Sequence, residues 1–210
     1  MKRIYEKLLE QPGAILAGFA LFGTIALALA FDLTKDQIAA NERAATLSRL
    51  NALVDHQTYD NDLLADTVDL PAAEFGSADK VTVYRARKQG VPVAALFTVT
   101  APDGYSGRIR LIVGVNADQT LAGVRVLGHK ETPGLGDKIE VEKSDWMLGF
   151  NGKSLQNPTD TGWAVRKDGG EFDQFTGATI TPRAIVKAVK NTLAWSQQHF
   201  STLFKQEAKP

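Results

Sequence analysis

The chain contains no cysteine. That absence excludes disulfides, iron–sulfur clusters, thioether-linked haem and thiol catalysis, although it identifies no compartment. Histidine is scarce. His56, His129 and His199 are the only three, they lie far apart, and they fit no zinc-ligand spacing, so no metal site is expected. An excess of either charge is also missing: 24 basic and 24 acidic residues give a formal net charge of zero, which lends nucleic-acid binding no support. No serine or carboxylate pair presents a recognisable nucleophile arrangement, so no residue is assigned a catalytic role and a hydrolase is not expected. Internal repeats and low-complexity tracts are absent as well.

What is present begins with one long apolar run. From Gly13 to Phe31 only Thr24 is polar and nothing is charged, and as a helix this run spans about 28 Å, close to the hydrocarbon thickness of a bilayer. It is long enough to be a membrane anchor. A cleaved signal peptide is the rival reading, because Ala26-Leu27-Ala28 and Ala28-Leu29-Ala30 resemble cleavage sites after a basic start. Lys2, Arg3 and Lys7 precede the run whereas Lys35 and Arg43 follow it, a bias that places the N-terminus in the cytoplasm and the remainder outside. One apolar helix without charge makes a poor ion pathway of its own.

Beyond the run, Thr34-Lys35-Asp36-Gln37 fits a capping box, and Ile38, Leu47, Leu50, Leu53 and Val54 predict an amphipathic stalk helix to about Asp55. The mixed segment after it leaves strand and turn both open. From Lys80 the period changes. Val81 to Tyr84, Val91 to Val99, Ile109 to Val115 and Leu121 to Leu127 are rich in β-branched residues and are separated by Gln89-Gly90, Asp103-Gly104 and Asn116-Ala117-Asp118. Turns so closely spaced leave no room for crossover helices, which predicts neighbouring strands of a largely antiparallel, twisted sheet. With a helical pattern from Pro182 to about Lys205 the class is α+β, the sheet packed with helices. The chain divides into residues 1–12 before the membrane, a transmembrane helix over 13–31, a helical stalk and linker over 32–70, and an exported domain over 71–210.

Within that domain the stretch Asp173-Gln174-Phe175-Thr176-Gly177-Ala178-Thr179-Ile180-Thr181-Pro182 runs small, hydroxylated residues into a helix. Thr181 is the expected N-cap and Pro182 the expected first helical residue. A loop at a helix N-terminus offers free N–H groups and the positive end of the macrodipole to an anion, and Gly177 and Ala178 are too small to block one. An ordinary capped helix start is the alternative. A second loop, Gly128 to Lys138, contains Pro133-Gly134-Leu135-Gly136, whose glycines let backbone approach a ligand or simply turn the chain. His129 and Glu131 can be read as an acid–base pair or as structural loop residues. Tyr105, Trp146 and Trp163 are candidates for stacking on a planar ligand, or are core.

Asp173, Thr176, Gly177, Ala178 and Thr179 together resemble the flavinylation motif of the covalent FMN-binding subunits of Rnf-type and Na⁺-pumping NADH:quinone oxidoreductase complexes. Thr176 stands where serine is commoner. The loop His129 to Gly136 resembles the second signature of the same proteins. Further agreement lies in Gly104-Tyr105-Ser106-Gly107, Asp137 to Glu140, Trp146, Phe150 to Lys153 and Gly169 to Asp173, so nearly the whole chain is similar to the RnfG family.

This resemblance implies FMN joined by a phosphoester to Thr179, with Thr176, Gly177, Ala178 and Thr181 shaping the phosphate site. Glu131, Thr132, Gly134, Leu135 and Gly136 would border the ring, and Asp173 would be recognised by a flavin transferase. It also implies a single-pass electron-carrying subunit of an ion-translocating complex in the inner membrane. Its domain would be periplasmic, and its partners would be the other membrane and redox subunits of that complex. Two alternatives remain beside it: a tethered module holding FMN or another phosphorylated ligand reversibly, and a scaffold without redox chemistry.

Overall fold

The computed structural model describes residues 12–208. Lys2, Arg3 and Lys7, which carry the orientation expectation, and all but the last residue of the segment 1–12 lie outside the described residues. Contacts divide the chain after Thr46 into two compact units.

The described residues of the first unit are helical. Helix α1 runs from Pro12 to Asn51 without interruption, and the side chains of Leu16, Phe19, Phe22, Leu27 and Phe31 are exposed along it. From Gly13 to Phe31 it is apolar on all sides and has no hydrophilic face to turn to water. The capping box expected at Thr34 does not start a new helix: the Thr34 hydroxyl donates to the Ala30 carbonyl at 2.7 Å, as a threonine inside a helix does. α1 also stops at Asn51 rather than near Asp55, whose carboxylate instead accepts from Gln57 N–H at 3.0 Å and caps a short turn of its own.

The second unit is built on a five-stranded sheet in sequence order, with every pairing antiparallel. Its strands are β1 Thr67–Leu70, β2 Val81–Lys88, β3 Val91–Gly104, β4 Gly107–Asn116 and β5 Leu121–Gly128. The segment in which strand and turn were both open is mostly turns, and only its last residues, Thr67 and Val68, enter β1. The β3–β4 hairpin turn falls at Tyr105-Ser106, two residues later than Asp103-Gly104, because β3 continues to Gly104, which pairs with Gly107. Strand periodicity decides the two faces. Val83, Phe97, Val99, Leu111 and Val113 point to one side, where helix α2, Ile180–Leu203, packs with Ile185, Val189 and Leu193. Phe75, Phe97 and Trp195 form an aromatic cluster at that interface, with centroids 4.9 to 5.9 Å apart. Leu96, Ala94, Ala86 and Ile112 point to the other side and are covered by Leu50, Leu53, Val54 and Leu63. β3 is therefore buried on both faces, which is why its sequence reads as a nearly continuous apolar run. Residues between β5 and α2 form short turns that close the α2 side with Met147, Phe150, Trp163, Val165 and Phe172.

Candidate functional site

Helix α2 starts at Ile180 with Thr179 as its N-cap, two residues before the expected N-cap at Thr181. The Thr-Pro step misled because proline is tolerated throughout the first turn, where N–H groups have no intrahelical partner to lose. Thr181 also does not cap: it is fully buried and its hydroxyl donates to Glu131 Oε2. No side chain caps the start of α2, and its first turn holds no acidic residue. Both features leave the positive end of the helix open to an anion.

Ahead of the cap, Ala178 N–H donates to the Phe175 carbonyl at 3.0 Å, closing a tight turn. Gly177 occupies it at φ +80°, a conformation L side chains rarely adopt. Buried Phe175 and Ala178 anchor the turn while Thr176 and Gly177 face solvent. Thr179 is half-buried, and its hydroxyl satisfies no backbone group of the helix.

Glu131 joins this turn to the second glycine-rich loop. The carboxylate is buried, and besides the Thr181 hydroxyl it accepts Ser106 N–H, from the β3–β4 hairpin, at 2.9 Å. A buried carboxylate in such a place is stable only while donors satisfy it. Gly136 packs directly on this knot: a Cβ there would lie 2.9 Å from Glu131 Oε2 and 3.1 Å from Thr181 Oγ1. Leu135 reaches across to the other loop, its Cδ2 3.7 Å from where a Gly177 Cβ would stand. The structure thus joins the two loops through Glu131, Gly136 and Thr181, and it divides the expected residues by exposure. Thr132, Gly134, Leu135, Thr176 and Gly177 are exposed, whereas Glu131, Gly136, Ala178 and Thr181 are buried and act by positioning.

Residues 104–194 match the FMN-binding domain family, and residues 1–53 match the RnfG N-terminal region. A subunit of the ion-translocating oxidoreductase complex of Pseudoalteromonas atlantica is 48% identical over 200 residues, 95% of this chain and 93% of the relative. The chain belongs to the RnfG family of ion-translocating oxidoreductase complexes. The like-named protein of Vibrio cholerae is 46% identical over 198 residues (94% of this chain, 95% of the relative). That of Shewanella oneidensis is 47% identical over 195 residues, 92% of each chain. The FMN-binding match spans both loops, the Glu131 knot and the start of α2.

For a member of the RnfG family, the remaining candidates fall into clear places. Asp173 is exposed and paired with Arg166 at 2.9 Å, so its carboxylate is not aimed at the helix start. Arg183, in the first turns of α2, is held by Asp168 through contacts of 2.6 and 2.8 Å. Trp163 is core. The Trp146 ring is engaged edge-on by Phe150 and Phe175, each at 5.3 Å, and its N–H donates to the Asp173 carbonyl at 2.8 Å. Tyr105 alone of the three stacking candidates stands free at the hairpin tip, exposed to solvent.

His129 and Glu131 are not an acid–base pair. His129 Nδ1 accepts the backbone N–H of Glu131 at 3.0 Å, which leaves Nε2 to face Glu140 Oε1 at 2.7 Å. That arrangement fixes the exit from β5 into the loop. Lys143 completes a cluster that sequence reading missed, bonding Asp137 Oδ2 at 2.8 Å and Glu140 Oε1 at 3.0 Å. Its members carry no periodic signal by which they could have been grouped. Among the described residues, Asp137 Oδ1 is buried without a hydrogen-bond partner.

The Lys143 hydrogen bond holds Asp137 below the usual carboxylate range, and hydrogen bonds from His129 and then Lys143 do the same for Glu140. A carboxyl depressed by folding stabilises the native state above its unfolded pKa and loses that contribution as pH falls through its folded value. Unfolding free energy should therefore decline as pH drops below the ordinary values of 3.8 for Asp137 and 4.5 for Glu140. In Lys143→Met the decline should be shallower, as read by urea unfolding at stepped pH; an unchanged slope would contradict this role.

Proposed function

We propose that this chain is the FMN-carrying electron-transfer subunit of an ion-translocating oxidoreductase complex, with FMN esterified through its phosphate to Thr179. The observation that carries the reading is the position of Thr179, a free hydroxyl at the uncapped start of a 24-residue helix inside the FMN-binding match. The residues present suit the group. A phosphate on Thr179 would meet unpaired N–H donors of the first turn of α2, and the missing Gly177 side chain leaves its approach open. Glu131 holds the hairpin tip, the Pro133–Gly136 loop and the helix start in one arrangement, and the exposed Thr132, Gly134 and Leu135 would border the ring. When bound, FMN supplies one- and two-electron redox chemistry that the side chains lack. A tether replaces bimolecular capture by a fixed local concentration, which suits a site without access to a free FMN pool. Asp173, exposed beside the turn, is a contact for the flavin transferase that attaches the group.

In this reading α1 anchors the protein once in the inner membrane, with its N-terminus in the cytoplasm and the domain from residue 47 onward in the periplasm. Support comes from its length and apolarity. The partners are the other membrane and redox subunits of the complex. Denaturing electrophoresis of chain exported alongside a flavin transferase tests the attachment. A fluorescent flavin band at the mass of the chain is expected. Yellow native protein that gives a dark band would mean reversible FMN, and colourless native protein would mean a scaffold.

A further inference from the structure

From Leu47 onward, Arg85, Arg87, Arg108, Arg166 and Arg183 each hold a carboxylate of this chain. Arg49, Arg110 and Arg125 make no ion pair among the described residues. They come from the last turn of α1, from β4 and from β5, yet all line cavities on one face of the sheet. Arg49 and Arg125 line a cavity of about 570 Å³ with Ala52 and Leu127. Arg110 lines another, of about 330 Å³, with Thr82, Thr98 and the same Leu127, so the two form one trough. Strand alternation explains the common face: Arg110 falls on the side of Ile112, and Ile112 is paired with Arg125. This side is opposite α2, where Leu127 packs against the cluster of Leu50, Leu53, Val54 and Leu63. The Arg125 guanidinium donates to the carbonyls of Val124 at 2.8 Å and Ala52 at 3.4 Å, which orients it without neutralising it. Burial lowers the Arg125 pKa and Glu142 opposes that shift. A half-buried charge without a counter-charge is costly, and a carboxylate brought into the trough would offset that cost.

We propose that the trough lined by Arg49, Arg110 and Arg125 receives an acidic segment of another subunit of the complex. This rests on the reading of the chain as a subunit and not on the ester at Thr179. Charge complementarity carries it, since a guanidinium fork matches a carboxylate with two parallel hydrogen bonds. Two observations select a protein segment over a small anion. Arg110 stands two residues, about 7 Å along the strand, from the Ile112–Arg125 pair, and Arg49 reaches the trough from a different element. That spacing suits successive acidic side chains of an extended segment better than a single phosphate. Glu140 and Glu142 line the larger cavity as well, and Glu140 is already held by His129 and Lys143. Glu142 would repel a simple anion but would meet a donor on a segment that carries both signs. Leu127, at the junction of the two cavities, offers such a segment an apolar contact between the charged positions.

The test uses the assembled complex in detergent, with this chain as wild type, as the double variant Arg49→Gln/Arg110→Gln, or as Lys205→Gln, which removes an exposed charge away from the trough. As salt is raised, the double variant should leave the other subunits several-fold faster than wild type, and Lys205→Gln should not. Flavin that survives denaturation should be equal in all three, which separates this surface from the attachment at Thr179. A second readout identifies the occupant. Carbodiimide condenses an amine with a carboxylate that touches it, with loss of one water, so the amine introduced by Arg110→Lys should be joined to an aspartate or glutamate of another subunit, as read by peptide mass spectrometry. Release of the double variant at the wild-type rate, with crosslinks from position 110 confined to this chain, would overturn the trough as a docking site. If inorganic phosphate then raises the melting temperature of the wild type but not of the double variant, the trough is a small-anion site instead. A wild-type chain that purifies with no other subunit would overturn the subunit reading itself, whatever its flavin content.

Discussion

Thr179→Ala is expected to remove all flavin that survives denaturation while leaving the fold intact. Losing a threonine N-cap usually costs about 1 kcal/mol, because its side chain holds a first-turn N–H. Here the hydroxyl makes no such bond, so there is no cap to lose. The stability change should stay within about 0.5 kcal/mol, the range of substitutions that break no specific contact. Two readouts therefore separate: the unfolding midpoint should scarcely move, and the in-gel fluorescence should fall to background. Retained fluorescence would relocate the ester to another hydroxyl, with exposed Thr176 the nearest alternative in the turn. A large loss of stability would mean that the hydroxyl is structural, contrary to the geometry.

The largest effect on stability is expected from Arg85→Met. Arg85 is 1% exposed on β2, at a position where the alternation of Val81 and Val83 calls for an apolar side chain. Its guanidinium bonds Asp66 and donates to the carbonyls of Leu203 at 2.8 Å and Gln206 at 2.7 Å. Arg87 bonds the other Asp66 oxygen at 2.8 Å, donates to the Phe204 carbonyl at 2.8 Å, and lies over the Phe204 ring. The two arginines thus hold the C-terminal end of α2, where carbonyls lack partners and the macrodipole favours a cation. Methionine would restore the apolar pattern but strand the Leu203 and Gln206 carbonyls and half of Asp66. Breaking one member of a buried ion pair costs about 3–5 kcal/mol. Urea unfolding should show a loss of that order in Arg85→Met and a smaller one in Arg87→Met, whose site is less buried. A neutral or stabilising Arg85→Met would mean that packing, not the ion pair, secures the helix end.

Particular residues show why some of this was legible in the sequence. Short runs rich in β-branched residues mark β2 to β5 directly, and Gln89-Gly90 and Asn116 to Asp118 mark two of the turns where they occur. Both candidate loops were visible because glycine and proline report backbone demands locally: Gly177 takes φ +80° and Gly134 +79°. The start of α2 was misplaced because a proline in the first turn reads alike at any position of that turn. What stayed hidden was long-range polar pairing. Glu131 reaches Ser106 and Thr181, and Arg85 reaches Asp66 and the last turn of α2, through contacts that leave no periodic trace. The broken alternation at Arg85 was a local sign of that second network, since a charge at a core-facing position must find a partner. Glu131 gave no comparable sign, being one more charge in a polar loop.

The bond at Thr179 is central to the proposed role, and the mass of the mature chain tests it most directly. Intact-mass measurement of protein taken from the membrane should show the polypeptide plus one FMN less one water, with the increment on the peptide that carries Thr179. A mass equal to the bare polypeptide in yellow protein, or the increment on any other peptide, would contradict it.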